Sequence, residues 1–109
     1  MTVGISDKIS LPKGTYGIDF DFTVYNNDGT AHSLTDLTIT LKVWKSGLPG
    51  TLLVDAGCTI DVAASGTCHY TIQDGDFDDV GLYLYELELT KASYRDNTDP
   101  ASLTVTESG

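Results

Sequence analysis

The stretch Asp79-Val80-Gly81-Leu82-Tyr83-Leu84-Tyr85-Glu86-Leu87-Glu88-Leu89 limits what this chain can fold into more than any other. Strict alternation with a period of two is the pattern of a strand that buries one face. Tyr83, Tyr85, Leu87 and Leu89 form the inward set, and Leu82, Leu84, Glu86 and Glu88 point the other way. Two glutamates make that second face mostly wet. Just ahead, Gly81 permits a backbone path that a side chain would obstruct. Tyr83 then lays its ring in the core while its hydroxyl bonds back to nearby backbone.

Asp79, Gly81 and Tyr83 at this spacing resemble the tyrosine corner that opens strand F of immunoglobulin-type sandwiches. The remaining strands can be placed around it. Ile9 to Leu11 is a short edge strand closed by Pro12. Ile18, Phe20, Phe22 and Val24 alternate with Gly17, Asp19, Asp21 and Thr23, giving one oily and one acidic face, and Asn26-Asn27-Asp28-Gly29 turns the chain. A long strand from Leu37 to Lys45 follows, then a loop from Ser46 to Gly50 and a short edge strand from Leu52 to Val54. Cys58 to Val62 and Thr67 to Ile72 form a hairpin whose even-numbered residues share the apolar face. Gln73 to Asp79 is an acidic loop, Ala92 to Ala101 is polar, and Leu103 to Thr106 is a final strand. Seven or eight strands without a helical period predict a single all-β domain over residues 1–109, an immunoglobulin-like antiparallel sandwich.

At 109 residues the chain buries roughly two-thirds of its unfolded surface and needs no disulfide or metal for a core. Sixteen acidic residues against six basic ones surround it with a negative field that repels phosphate and anionic lipid, so nucleic acid and membrane are excluded as partners. The first seven residues carry neither a basic region nor an apolar run, which predicts synthesis and folding in a cytoplasm. There Cys58 and Cys68 remain thiols by default. They lie on one face of adjacent strands but one pair out of register, roughly 7 to 8 Å apart on the diagonal, farther than a disulfide prefers. His69 points to the opposite face, so no zinc set forms with them.

The order and spacing of Phe20-Asp21-Phe22-Thr23-Val24-Tyr25-Asn26-Asn27-Asp28-Gly29, Leu34, the Gly66 to Ile72 strand and Gly81-Leu82-Tyr83-Leu84-Tyr85-Glu86-Leu87 resemble the immunoglobulin-like domains of bacteriophage tail and baseplate proteins, most closely the N-terminal domain of baseplate upper proteins. The resemblance implies a virion structural role, made in the host cytoplasm, in which the domain packs against other virion proteins and precedes a longer receptor-binding portion. This chain ends soon after its last strand, as either a whole small virion protein or an excised domain. It also departs from antibody domains, because Phe22 and Tyr85 stand where the inter-sheet cysteines would be.

The function-bearing candidates are few. Asp74, Asp76 and Asp78 alternate as the first ligands of a calcium loop do, but Asp79 replaces the required glycine and Tyr85 the bidentate glutamate. A solvated loop with Asp79 capping the corner explains them as well. No nucleophile elbow, phosphate loop or histidine–nucleophile pair is present in the sequence, so neither catalysis nor a cofactor is expected. Trp44 differs in parity from Ile39, Leu41 and Val43. Either a bulge returns it to the core, or it is an exposed anchor for a partner, in a patch with Tyr25, Tyr94 and Leu48. Leu103 to Val105 is a candidate edge for homo-oligomer pairing. Two functions compete: a non-enzymatic virion module binding its neighbours, and a carbohydrate-binding or adhesive surface domain.

Overall fold

The computed structural model describes residues 2–5, 10–47 and 50–107. Among them are ten strands: β1 (Thr2–Ile5), β2 (Ser10–Pro12), β3 (Asp19–Tyr25), β4 (Thr38–Lys45), β5 (Leu52–Gly57), β6 (Thr59–Val62), β7 (Thr67–Thr71), β8 (Gly81–Lys91), β9 (Tyr94–Asn97) and β10 (Ala101–Thr106). One sheet runs β1-β3-β7-β6, and the other runs β2-β10-β8-β4-β5 with β9 also on β8. Among the described strands only β10 with β2 is parallel, and with β8 on its other side β10 is not a free edge, contrary to the expectation for Leu103 to Val105. In immunoglobulin lettering the orders are A-B-E-D and A′-G-F-C-C′, so the chain is an immunoglobulin-like β-sandwich.

The strands not expected from the sequence are β1 and β9. The interior Gly4 weakens β1 as a pattern, and it forms by pairing with β3 from Thr2↔Tyr25 to Ile5↔Phe22. Tyr94-Arg95-Asp96-Asn97 shows no apolar alternation, yet β9 continues the hairpin from β8, with Lys91 opposite Tyr94 and Glu88 opposite Asn97. Because β4 occupies the other side of β8 from Tyr83 to Thr90, β9 and β10 are two halves of one G strand. At the break, the buried Thr98 donates its N–H to Leu87 O (2.9 Å) and accepts the Leu87 N–H on Oγ1 (3.0 Å). A side chain thus completes the pairing where Pro100, with no N–H, interrupts the ladder.

The core is one cluster drawn from both sheets. Phe20, Phe22 and Val24 from β3 face Tyr83, Tyr85, Leu87 and Leu89 from β8, with Ile39, Leu41 and Val43 from β4 beside them. The Phe22 and Tyr85 rings lie 5.9 Å apart and tilted by 42°, spanning the sandwich where an immunoglobulin disulfide would. Phe20 touches Phe22 at 6.0 Å and Phe77 at 5.8 Å, and Phe77 meets Tyr83 edge-on at 6.0 Å. Each such pair adds about 0.5–1.5 kcal/mol beyond the area it buries. Phe77 corrects the expectation of a wholly solvated acidic loop: it is fully buried and pins that loop to the core.

The corner forms as its residues require. Gly81 has φ 154°, a conformation L side chains rarely adopt, and the Tyr83 hydroxyl donates to the Asp79 carbonyl at 2.7 Å. The backbone oxygen of Asp79 makes the corner rather than its carboxylate.

The β6–β7 hairpin departs from simple parity. Thr59 pairs with His69 and Ile60 with Cys68, but the register then shifts and Val62 faces Thr67. That bulge turns Val62 out, 54% exposed, although its even number placed it on the apolar face. A 3-10 turn, Ala63–Ser65, leads to Gly66 at φ 70°, which lies against the β3 backbone and the loop after it. Val24 N donates to Gly66 O, His32 N to Val24 O and Leu34 N to Ala63 O, each at 2.9 Å. A Cβ at Gly66 would meet Val24 O at 2.7 Å and His32 O at 2.8 Å.

Replacing Gly66 with alanine should therefore destabilise the domain by about 2–3 kcal/mol, since the obstacle is backbone and the φ is unfavourable. Urea denaturation at neutral pH measures this, and a loss below about 0.5 kcal/mol would contradict the close approach. Tyr83→Phe should cost about 1–2 kcal/mol by leaving the Asp79 carbonyl unpaired, with no change in the strand content seen by circular dichroism.

Candidate functional site

The outer face of the second sheet is divided into two zones. Cross-strand register places Leu52, Trp44 and Leu84 in one row over β5, β4 and β8, with Leu82 one step along β8. An extra residue in β5, Leu53, falls at the register shift beside Trp44. Leu82 and Leu52 are 47% and 39% exposed, and Trp44 and Leu84 are half-buried. Trp44 thus stands on the outside, as its parity required, and the bulge does not return it to the core.

Farther along the same strands the face is charged. Glu88 accepts from Lys42 Nζ at 3.4 Å and from Arg95 Nη2 at 2.8 Å and Nε at 3.0 Å. Two cations on one carboxylate hold β4, β8 and β9 together across the sheet.

The four interaction candidates do not form one patch. Trp44 pairs with Leu84 while Thr38 pairs with Thr90, and Lys91 pairs with Tyr94. Six residues of strand, roughly 20 Å, separate Trp44 from the Tyr94 end. Tyr25, 37% exposed, closes β3 near the loop that follows it, in the other sheet. Leu48 lies outside the described residues.

The Tyr94 end carries a cleft of about 280 Å³ that sequence reasoning missed apart from Tyr94 itself. It lies between the β3–β4 loop and the β8–β9 turn and is lined by His32, Ser33, Thr35, Leu37, Lys91 and Tyr94. Lys91 Nζ sits 5.8 Å from the Tyr94 ring centroid, a cation–π contact. Asn26 donates its amide to Thr30 Oγ1 (3.2 Å) and Ala31 O (3.3 Å), which turns its carbonyl oxygen toward His32 Nδ1 at 2.6 Å. The amide oxygen can only accept, so Nδ1 donates this bond. In the same loop, Thr30 donates its hydroxyl and N–H to Asp28, holding that carboxyl below its ordinary range. The cleft offers one cation, hydroxyls and an aromatic edge at the small end of ligand sites. No sequence signal marks it, because its residues come from two loops 59 positions apart, His32 to Lys91.

The acidic loop is bound to itself. The Asp76 carboxylate accepts the Tyr70 hydroxyl and the Gln73 N–H (2.9 Å), and Asp76 N donates to Gln73 O at 3.1 Å. The Asp76 carboxylate is thereby turned into its own loop. Cys58 and Cys68 are both thiols. Ile60 opposes Cys68, so Cys58 is its diagonal neighbour, and the hydrogen bond between the thiols together with burial pushes the Cys58 thiol well above its ordinary value. A raised, largely buried thiol makes Cys58 a poor nucleophile.

No protein-family model and no curated protein matches this chain. The immunoglobulin-like assignment stands on strand order and on the corner.

Burial raises the phenol of Tyr85 to about 12, and burial with the Asp76 hydrogen bond raises that of Tyr70 as well. Unfolded tyrosine ionises near 10. The neutral phenols therefore favour the folded state fully below about pH 10, and that contribution is lost as pH rises through about 12. The urea midpoint should fall over this window, and Tyr85→Phe should remove part of the decline; an equal decline in that variant would refute the assignment.

Proposed function

We propose that this chain is a non-enzymatic structural module of a phage virion, tail-, baseplate- or capsid-associated, that docks on a neighbouring virion protein through the Trp44 row. The carrying observation is the placement of Trp44, Leu84, Leu82 and Leu52 together on one outward sheet face. Three strands present them, so the surface is rigid before contact and little ordering entropy opposes binding. A tryptophan flanked by leucines on both neighbouring strands has the composition of an interface hot spot. The formal net charge of −10 favours a partner with a basic rim around its apolar contact. The sequence resemblance to baseplate upper proteins supplies the virion setting.

A second reading, a carbohydrate-binding or adhesive surface domain, is favoured by the cleft of His32, Ser33, Thr35, Lys91 and Tyr94, whose hydroxyls and aromatic edge suit a sugar. The two readings use opposite ends of the sheet and separate cleanly by mutation.

Virions purified from cells producing the phage should contain the chain in fixed stoichiometry by quantitative mass spectrometry, and Trp44→Asp should reduce its incorporation at least tenfold while the isolated domain melts as before. Virions lacking the wild-type chain would end the proposal. Glycan binding that Tyr94→Ala abolishes and Trp44→Asp leaves intact would establish the second reading in its place.

A further inference from the structure

The outer face of the other sheet gathers a ligand set that neither function uses. Asp21 on β3 and His69 on β7 are direct cross-strand partners, and Thr59 on β6 lies opposite His69 on its other side. Two residues farther along β6, the register shift between Ile60 and Val62 leaves Asp61 out of the ladder. Its carboxylate turns to His69, with Oδ1 2.8 Å from Nδ1. One ligand atom from each of Asp21, Asp61 and His69 lies within 4.8 Å of the others. Any acidic surface offers pairs of carboxylates; an imidazole nitrogen held between two of them by three adjacent strands is a different arrangement.

We propose that Asp21, Asp61 and His69 form a binding site for a divalent transition-metal cation. Metal–ligand bonds of about 2.0–2.2 Å put neighbouring donor atoms about 3 Å apart around the ion. The His69–Asp61 pair already has that spacing, and a carboxylate oxygen of Asp21 stands within 4.8 Å of both. On binding, Nδ1 exchanges its hydrogen bond for the metal and Nε2 carries the ring proton. The set supplies one nitrogen and two oxygens on a half-exposed face, leaving the remaining positions to water. Mixed imidazole and carboxylate donors suit zinc, cobalt, nickel or manganese; calcium and magnesium prefer oxygen alone. The thiols of Cys58 and Cys68 take no part, because Cys68 precedes His69 in the strand and faces the core.

The site would act as a clamp. β6 has four residues, lies at the end of its sheet and has a broken register, so an ion shared by β3, β7 and β6 ties down a weakly held edge. Bulges commonly re-aim a side chain in this way.

The test is thermal melting of the purified domain in zinc, manganese or magnesium, with manganese-induced NMR broadening to locate the ion. Zinc at ten times its dissociation constant should raise the melting temperature by at least about 4 °C, and magnesium at equal concentration should not. Asp61→Asn and His69→Gln, both surface changes, should each leave the metal-free melting temperature nearly unchanged and weaken zinc at least tenfold. Broadening should centre on residues 21, 61 and 69. The site is refuted if no transition metal raises the melting temperature, if the rise persists in both variants, or if broadening centres on the loop of Asp74 to Asp78.

Discussion

The contact between Phe22 and Tyr85 is the one on which the rest of this sandwich depends. Two sheets in an immunoglobulin fold must be fixed face to face, and antibody domains do so with a buried disulfide between strands B and F. Here two rings 5.9 Å apart occupy that position, and Phe20, Phe77 and Tyr83 extend them into an aromatic column through the core. Dispersion and edge-to-face electrostatics replace a covalent bond, which suits a chain whose cysteines are thiols. The column also reaches beyond the strands. Phe77 fixes the acidic loop, and that loop sets the Asp79 carbonyl where the Tyr83 hydroxyl meets it.

With the sheets fixed, the outer faces are free to specialise. On the G-F-C-C′ sheet the apolar row around Trp44 and the ion cluster around Glu88 share strands but not ends. On the A-B-E-D sheet the inward residues Phe20, Phe22 and Cys68 alternate with outward Asp21 and His69, so the packing that builds the core also sets the acids and imidazole side by side. Surface chemistry follows from core register: a shift of one residue in β3 would place its aspartates inside and dismantle both.

Much of the fold was legible along the chain because a strand with one buried face writes its own period. β3, β4 and β8 are long and strictly alternating, and their inward residues are those that alternation selected. β9 was not legible, since its polar residues follow the path of β8 rather than an apolar pattern of their own. Phe77 was hidden in a run of aspartates, where local composition argued for solvent. Of the candidate residues, Trp44 was left by parity between the outer face and a bulge back to the core, and only strand pairing placed it outside beside Leu52 and Leu84. The end cleft had no signature, because two loops distant in sequence line it.

What the sequence by itself determined is the all-β class, the corner at Gly81 and Tyr83, the aromatic pair in place of a disulfide and the diagonal relation of Cys58 and Cys68. These follow from local stereochemistry and a period of two, both of which act within a few residues. Only the tertiary structure decided that Trp44 lies beside Leu84, that the G strand is split and mended by Thr98, and that Asp61 swings from a bulge to His69. The reason is physical: those relations are made by hydrogen-bonded register between strands far apart in the chain, and a register shift leaves no mark in either strand read alone.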